Sequence, residues 1–309
     1  MYRSAGVLLA FPQPAMIFAM ILALLRTMRP RQWPKNGFIF AALVFDRQLI
    51  DPGPFLATVA GFGLLCLTSS AVYVVNDLAD LESDRKHPTK KYRPLASGAL
   101  SPTAARTAAV ILIVASLAGS LALSRNFALV IVGYLALNLL YSFWLKHVPI
   151  IDVFSIAGGF VLRVAAGVTL ITVERFSPWL YVCTTLLALF IGFGKRRAEL
   201  TLLQSDANSH RRVLDGYTIS YLDQLIMIVS STTVIAYSLY SFSAVNLPEN
   251  HLMMLTIPFV IYGIFHYLHL IHVDNEGGAP EDLLLRDRPL MVTLLLWGLS
   301  SVVILYLGS

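Results

Sequence analysis

Apolar residues occur along most of this chain in long stretches, and short polar loops separate them. A stretch of about 20 apolar residues can cross a bilayer as an α-helix, whose backbone satisfies its own hydrogen bonds in lipid. The polar–apolar alternation typical of a membrane β-barrel is absent from the sequence. We therefore predict an all-α, multi-pass transmembrane helical bundle of about nine membrane helices. The predicted spans are 36–50, 54–77, 101–123, 126–145, 150–172, 177–198, 220–243, 252–272 and 288–308.

Proline and glycine mark the breaks between the predicted spans, as in Asp51-Pro52-Gly53-Pro54. The sequence contains no internal repeat and no low-complexity segment. Residues 1–25 are predicted to form an N-terminal leader or a helix at the membrane surface. Residues 26–309 are predicted to form a single transmembrane bundle, which holds whatever catalytic groups the chain has.

The charge content supports a membrane protein and orients it. Only 13% of the residues are charged and 57% are hydrophobic, whereas soluble domains carry about 25% charged residues. Lys and Arg collect in alternate loops, and the intervening loops contain only Arg47, Arg125 and Arg175. Because Lys and Arg favour the cytoplasmic side, we predict a plasma (inner) membrane protein with its charged face in the cytoplasm. No nucleic-acid partner is expected.

Carboxylates cluster at the cytoplasmic end of the second predicted span. On a helix, Asp77, Asp80 and Asp84 fall within an arc of about 60°, and Asn76 lies beside them. Like charges this close raise one another's pKa, and a divalent cation removes that cost. Hard oxygen ligands suit Mg²⁺, which also accepts substrate phosphate oxygens. The spacing favours a magnesium site, with a solvated helix end and ordinary salt bridges as the alternative.

The segment that follows is basic and contains Lys90, Lys91 and Arg93. Beside a metal site, such side chains suit phosphate binding. The alternative is a contact between these side chains and lipid headgroups.

Two motifs carry a resemblance to a known family. Asn76-Asp77-x-x-Asp80-x-x-x-Asp84, followed by Arg93-Pro94-x-Ala96-Ser97-Gly98, resembles the acidic motif of the UbiA superfamily of intramembrane prenyltransferases. The stretch from Arg29 to Asn36, Arg29-Pro30-x-x-Trp33-x-Lys35-Asn36, resembles the family's opening. The likeness covers nearly the whole chain from about residue 25, in helix number and loop placement.

Within the superfamily, three further motifs resemble the decaprenyl-phosphate phosphoribosyltransferase branch. They are His87-Pro88-Thr89-Lys90, Tyr141-Ser142-x-x-Leu145-Lys146-His147 with Asp152 beyond it, and Lys195-Arg196-x-x-Glu199. Prenyltransferases of this family carry a second acidic motif after the sixth span, and this chain has the basic residues Lys195 and Arg196 there.

The resemblance implies transfer of 5-phosphoribose from 5-phosphoribosyl-1-diphosphate to a polyprenyl (decaprenyl) phosphate, with release of diphosphate. It implies that Mg²⁺ is held by Asn76, Asp77, Asp80 and Asp84, and that the product feeds arabinose donor synthesis for the cell envelope. Homo-oligomers are common among enzymes of this family, so the resemblance also suggests a homo-oligomer. The predicted phosphate ligands are Tyr141, Lys146, Lys195 and Arg196, then Lys35, Lys90, Lys91 and Arg93, with Asp152 and Glu199 as further polar groups of the site.

Two other functions remain open. The first is prenyl transfer from a prenyl diphosphate to an aromatic or other acceptor, against which the missing second acidic motif counts. The second is transport of an anionic solute, for which inverted repeats would be expected.

Arg163 lies about eleven residues beyond Asp152 within the fifth predicted span, so the two share a helix face within about 20°. An arginine this deep in lipid normally faces a cavity or a partner. It would either line the cavity and contact substrate phosphate, or form a structural ion pair inside the bundle.

Overall fold

The computed structural model describes residues 14–173, 177–205 and 212–308, and these residues are mostly helical, with turns and loops between the helices and no strand among them. The predicted all-α architecture is confirmed. The α-helices are α1 (Pro14–Met28), α2 (Phe40–Phe45), α3 (Pro52–Ala79), α4 (Leu81–Lys86), α5 (Pro102–Leu123), α6 (Arg125–Phe143), α7 (Ile151–Val168), α8 (Trp179–Ser205), α9 (Ile219–Ser243), α10 (Ile257–His272), α11 (Pro280–Arg286) and α12 (Arg288–Leu307).

Seven helices in the described part of the chain are long and apolar enough to cross a membrane. They are α3, α5, α6, α7, α9, α12, and α10 together with the 3-10 turn before it, Leu252–Thr256. The predicted count of nine is therefore not confirmed. Helix α8 is 27 residues long, and basic residues in its second half lower its hydropathy.

The first predicted span, 36–50, differs most from its prediction. The chain there forms a 3-10 helix, Pro30–Ile39, and then only the six-residue helix α2. Pro34 inside the segment has no backbone N–H to donate, and Gly37 weakens helix propensity. An α-helix of six residues is far shorter than a bilayer requires.

Helix α1 begins at Pro14 and ends at Met28, so the predicted boundary at residue 25 falls inside it. Phe18 and Leu25 are exposed, whereas Ala23, Thr27 and Met28 are buried. Residues 1–13 of the predicted leader lie outside the described residues.

Close backbone contact joins α7 to the 3-10 helix Pro30–Ile39. A Cβ atom on Gly167 would lie 2.0 Å from the carbonyl oxygen of Ile39. Small residues that allow this approach are typical of membrane helix interfaces, where van der Waals packing drives association. The contact fixes the end of the 3-10 helix, at Ile39, against the bundle.

Candidate active site

The acidic turn joins the end of α3 to α4. Asp77 lies in the last turn of α3 and Asp84 within α4, and both are buried. Asp80 lies between the helices, and its side chain is 38% exposed. Helical hydrogen bonding continues through the break, because the Asp84 N–H donates to the Asp80 carbonyl at 2.8 Å. The acidic turn therefore keeps the helical spacing on which its prediction rested.

Two arginines neutralise the buried carboxylates of this turn. Arg29 donates to Asp77 Oδ1 at 2.5 Å, and Arg93 donates to Asp84 Oδ2 at 2.7 Å and to Asp77 Oδ1 at 3.2 Å. Arg29 also lies over the Tyr73 ring, 4.9 Å from its centroid. Removing buried carboxylates from water is costly unless they are paired, and these cations provide that pairing.

Arg29 is absent from the predicted site residues. Its backbone is left-handed, with φ 54° and ψ 61°, at the junction between α1 and the 3-10 helix. The signal was present in the sequence, because Arg29 opens the first family-like motif. What the motif could not show was that this arginine reaches back to the acidic turn.

Lys146 approaches the same turn from the loop after α6. Its Nζ lies 3.1 Å from Asp80 Oδ1. Of the predicted phosphate ligands, Lys146 and Arg93 are thus placed directly against the acidic residues.

The donor chemistry of the acidic turn fits Mg²⁺, but its carboxylates do not converge. Among the residues that the structure describes, no three His, Cys, Asp or Glu side chains form a group that could hold a metal ion. The carboxylates instead face arginine and lysine. Oxygen atoms of carboxylates and an amide are nevertheless the ligands that Mg²⁺ prefers, and a cation there would compete with the present ion pairs.

The last turn of α6 connects the acidic turn to the basic stretch of α8, Lys195–Arg197, in the second half of that helix. Ser142 donates to the Asn76 amide oxygen, and the neighbouring Tyr141 hydroxyl lies 3.4 Å from Arg196. Asn76 is therefore held in place by a hydroxyl of a second helix. The adjacent residues Tyr141 and Ser142 thus link Asn76 and Arg196, which are far apart in the sequence.

Arg196 is 1% exposed and bonded to acids of the protein itself. It donates to Asp152 Oδ2 at 2.5 Å and to Glu199 Oε2 at 2.6 Å. With Tyr141 as third partner, its guanidinium nitrogens are all engaged. This arrangement argues against the predicted phosphate contact of Arg196, because the guanidinium would have to leave two carboxylates. Asp152 and Glu199 hold the arginine in position.

The remaining predicted lysines differ in their surroundings. Lys195 is half-buried and has no hydrogen bond or ion pair within the described part of the chain, so its ammonium group is available to an anion. Lys35 is also half-buried, whereas Lys90 and Lys91 are exposed. Lys91 lies over the Tyr92 ring, 5.2 Å from its centroid.

Arg163 is buried in α7 and has neutral partners. It donates to the Asn36 side-chain oxygen at 2.8 Å, the Gly159 carbonyl at 2.9 Å and the Tyr134 hydroxyl at 2.7 Å. No carboxylate pairs with it in the described ranges. The structural ion pair proposed from the sequence is therefore wrong. The shared helix face with Asp152 also has no consequence for contact, since Asp152 binds Arg196 instead.

Comparisons with known proteins identify the family of this chain. A model of the UbiA prenyltransferase family matches residues 37–286. The chain belongs to this family. The decaprenyl-phosphate phosphoribosyltransferase of Mycobacterium tuberculosis is 36% identical over 285 residues, covering 90% of this chain and 92% of the relative. The enzyme of the same name from Corynebacterium glutamicum is 33% identical and covers 92% and 87%.

A solved structure supports the UbiA fold. A UbiA homolog from Archaeoglobus fulgidus, bound to DMAPP and Mg²⁺, matches with a TM-score of 0.70 at 20% sequence identity. The match covers 91% of this chain and 98% of the homolog. The chain is therefore an integral membrane transferase of the UbiA family, and it resembles relatives that act on polyprenyl phosphate.

Proposed function

We propose that this enzyme transfers 5-phosphoribose from 5-phosphoribosyl-1-diphosphate to a polyprenyl phosphate, such as decaprenyl phosphate. The bond between the anomeric carbon and the diphosphate oxygen breaks, and diphosphate leaves with the bonding electrons. A phosphate oxygen of the lipid forms the new bond to that carbon. The relatives named decaprenyl-phosphate phosphoribosyltransferase support this assignment along nearly their full length.

One observation from the structure carries the proposal. The end of α6 joins the acidic turn, through Ser142 and Asn76, to the basic stretch of α8, through Tyr141 and Arg196. A donor with a diphosphate and a 5-phosphate, together with an acceptor phosphate, needs more fixed cations than a prenyl diphosphate does. Lys195, which is half-buried, and Lys146, which lies against Asp80, would supply such cations.

The acidic turn would serve the leaving group. Asp77, Asp80 and Asp84, with Asn76, would hold Mg²⁺, which supplies positive charge to the departing diphosphate. Arg93 and Lys146 already lie against these carboxylates and would pair with phosphate oxygens once the carboxylates are otherwise neutralised.

The acceptor needs little chemical activation. Its phosphate is an anion at neutral pH, so it attacks without a strong general base. The protein's main task is to hold two anionic substrates together in a reactive geometry, which can contribute a large part of the rate enhancement. We place the site at the cytoplasmic face of the plasma membrane, and the product would feed arabinose donor synthesis for the cell envelope.

The test is transfer of label from 5-phosphoribosyl-1-diphosphate into the organic phase with purified protein, Mg²⁺ and decaprenyl phosphate. We expect transfer with the native protein, and loss of transfer on chelation or in Asp77→Asn, which should remain folded. Near-native activity of Asp77→Asn at titrated Mg²⁺ would contradict the assignment of the acidic turn.

The same preparation should be given a prenyl diphosphate and a small aromatic acceptor. Prenylation of that acceptor, without phosphoribosyl transfer, would show that the enzyme carries out the commoner chemistry of the family.

A further inference from the structure

The chain makes a strained turn just before α7. Ile150 has φ 70° and ψ −52°, a backbone region that β-branched residues rarely occupy. The Ile151 N–H donates to the Pro149 carbonyl at 2.8 Å, which closes a three-residue γ-turn around Ile150. Such backbone strain persists only where surrounding contacts hold it.

Tyr217 provides that hold from a distant part of the chain. Its hydroxyl accepts a hydrogen bond from the Ile150 N–H and donates one to Asp152 Oδ1 at 2.8 Å. Tyr217 is buried, and burial raises the pKa of its hydroxyl above the ordinary value. The hydroxyl therefore keeps its proton at neutral pH, as its hydrogen bond to Asp152 requires.

The segment before Tyr217 also packs directly on this turn. A Cβ atom on Gly216 would lie 2.2 Å from Pro149 Cγ, so only glycine allows the observed approach. The contact brings the 3-10 helix Arg212–Gly216, which precedes α9, onto the loop between α6 and α7.

Residues on both sides of the γ-turn contribute to the active site. Lys146 lies four residues before Ile150 and contacts Asp80 at 3.1 Å. Asp152 lies two residues after it and holds Arg196 at 2.5 Å. The direction of the chain at Ile150 therefore affects where Lys146 meets the acidic turn, relative to the basic stretch of α8.

We propose that Tyr217 is a positioning residue, whose hydroxyl holds the γ-turn at Ile150 and thereby fixes Lys146 beside the acidic turn for diphosphate binding. The inference rests on the proposed function, because it takes Lys146 as a ligand of the donor's diphosphate. Tyr217 itself contacts no substrate in this account.

The matched pair for the test is Tyr217→Phe and Tyr221→Phe. Tyr221 lies four residues further on, in the first turn of α9, and its ring stacks on that of Tyr217 with centroids 6.3 Å apart. Its hydroxyl makes no hydrogen bond to any described residue, and the side chain is partly exposed. Both variants lose one hydroxyl and keep the ring. They differ in that only the Tyr217 hydroxyl is hydrogen-bonded to the γ-turn at Ile150.

We expect Tyr217→Phe to raise KM for 5-phosphoribosyl-1-diphosphate roughly tenfold, the order expected for a lost hydrogen bond to a charged group. KM for the polyprenyl phosphate should stay within about twofold, a change smaller than the loss of such a hydrogen bond would cause. Tyr221→Phe should match the native enzyme in both. Unchanged KM for the donor in Tyr217→Phe would overturn the proposal, as would an equal rise of both KM values together with a lowered melting temperature.

Binding of inorganic diphosphate with Mg²⁺, measured by calorimetry on the full chain in detergent, provides a readout independent of turnover. The dissociation constant should rise in Tyr217→Phe and not in Tyr221→Phe. If the native protein transfers no phosphoribose, the proposed function fails, but this comparison still decides the role of Tyr217. Equal dissociation constants in the two variants would overturn it.

A second variant tests the strained turn directly. Glycine adopts positive φ without strain, so Ile150→Gly should no longer need the hydroxyl to hold the turn. The effect of Tyr217→Phe on diphosphate binding should therefore shrink in the Ile150→Gly background. An undiminished effect would show that Tyr217 acts by some route other than this turn.

Discussion

Two acidic residues of α4 lie two positions apart in opposite surroundings. Asp84 is buried and bonded to Arg93 at 2.7 Å, whereas Glu82 is exposed and pairs with Arg85 on the surface. Surface ion pairs contribute little, while a buried carboxylate in an active site determines local charge. Asp84 and Glu82 both have acidic side chains, so burial, and not charge, distinguishes their roles.

We predict that Asp84→Asn lowers phosphoribosyl transfer by roughly 100-fold or more, the scale of losing one preorganised electrostatic contact. Glu82→Gln is the matched control and should keep transfer within about twofold, since its ion pair is exposed. Initial rates under saturating Mg²⁺ measure both. Similar losses in the two variants would mean that α4 acts through its total negative charge, and not through the buried position of Asp84.

Arg163 gives a prediction about stability. Its three hydrogen bonds go to groups on three sides of the guanidinium, including Asn36 and Tyr134. Lysine keeps the charge but cannot reach all of these acceptors at once. Arg163→Lys should lower the free energy of unfolding by about 2–3 kcal/mol, the scale of hydrogen bonds to a buried charge.

Arg106→Lys is the control for that experiment, because Arg106 is exposed on α5. Unfolding by sodium dodecyl sulfate, followed by circular dichroism, would measure both variants. A change of similar size at Arg106 would show that detergent–charge effects, and not the buried contacts, dominate the measurement.

At the scale of elements, the contact between α7 and the 3-10 helix Pro30–Ile39 depends on one missing side chain. A Cβ on Gly167 would lie 2.0 Å from a backbone oxygen, which cannot rotate away as a side chain would. The helix must shift instead, and the 3-10 helix would move with it. That helix is preceded by Arg29 and contains Lys35, so the displacement would reach the site.

We predict that Gly167→Ala destabilises the protein by about 1–3 kcal/mol, the cost typical of overpacking a core. Gly298→Ala, on α12, should be neutral or slightly stabilising, because its Cβ meets no atom within 4 Å and alanine favours helices. The same unfolding measurement applies. Equal stability of the two variants would contradict the close approach at Ile39.

At the scale of the whole molecule, the loops alternate in charge along the bundle. The loop with Lys90 and Lys91 precedes α5, and Glu249 lies in the loop after α9. From the positive-inside tendency we predict that the first of these loops lies in the cytoplasm and the second outside. The acidic turn between α3 and α4 would then face the cytoplasm, where soluble phosphorylated donors are available.

We predict that Lys91→Cys is labelled by a membrane-impermeant thiol reagent only in inverted vesicles, and Glu249→Cys only in right-side-out vesicles. Both positions are exposed, so access depends on the side of the membrane. The native cysteines should give a low background, since Cys66 is buried and Cys183 half-buried. Labelling of both positions from one side would overturn the orientation.

Local pattern alone determined much of this protein. Long apolar stretches predicted the membrane helices, because a backbone in lipid must form its hydrogen bonds within the segment. The spacing of Asp77, Asp80 and Asp84 predicted a shared site, because helical geometry acts over a few residues and continues through the break at Asp80.

Tertiary structure decided which cations belong to the site. Arg196 and Lys195 are adjacent in the sequence, yet Arg196 is enclosed by Asp152 and Glu199, whereas Lys195 has no acidic partner among the residues that the structure describes. Arg29 reaches Asp77 across 48 positions of the chain. Pairing of a charge depends on which distant side chains surround it in low dielectric, and no local periodicity encodes that arrangement.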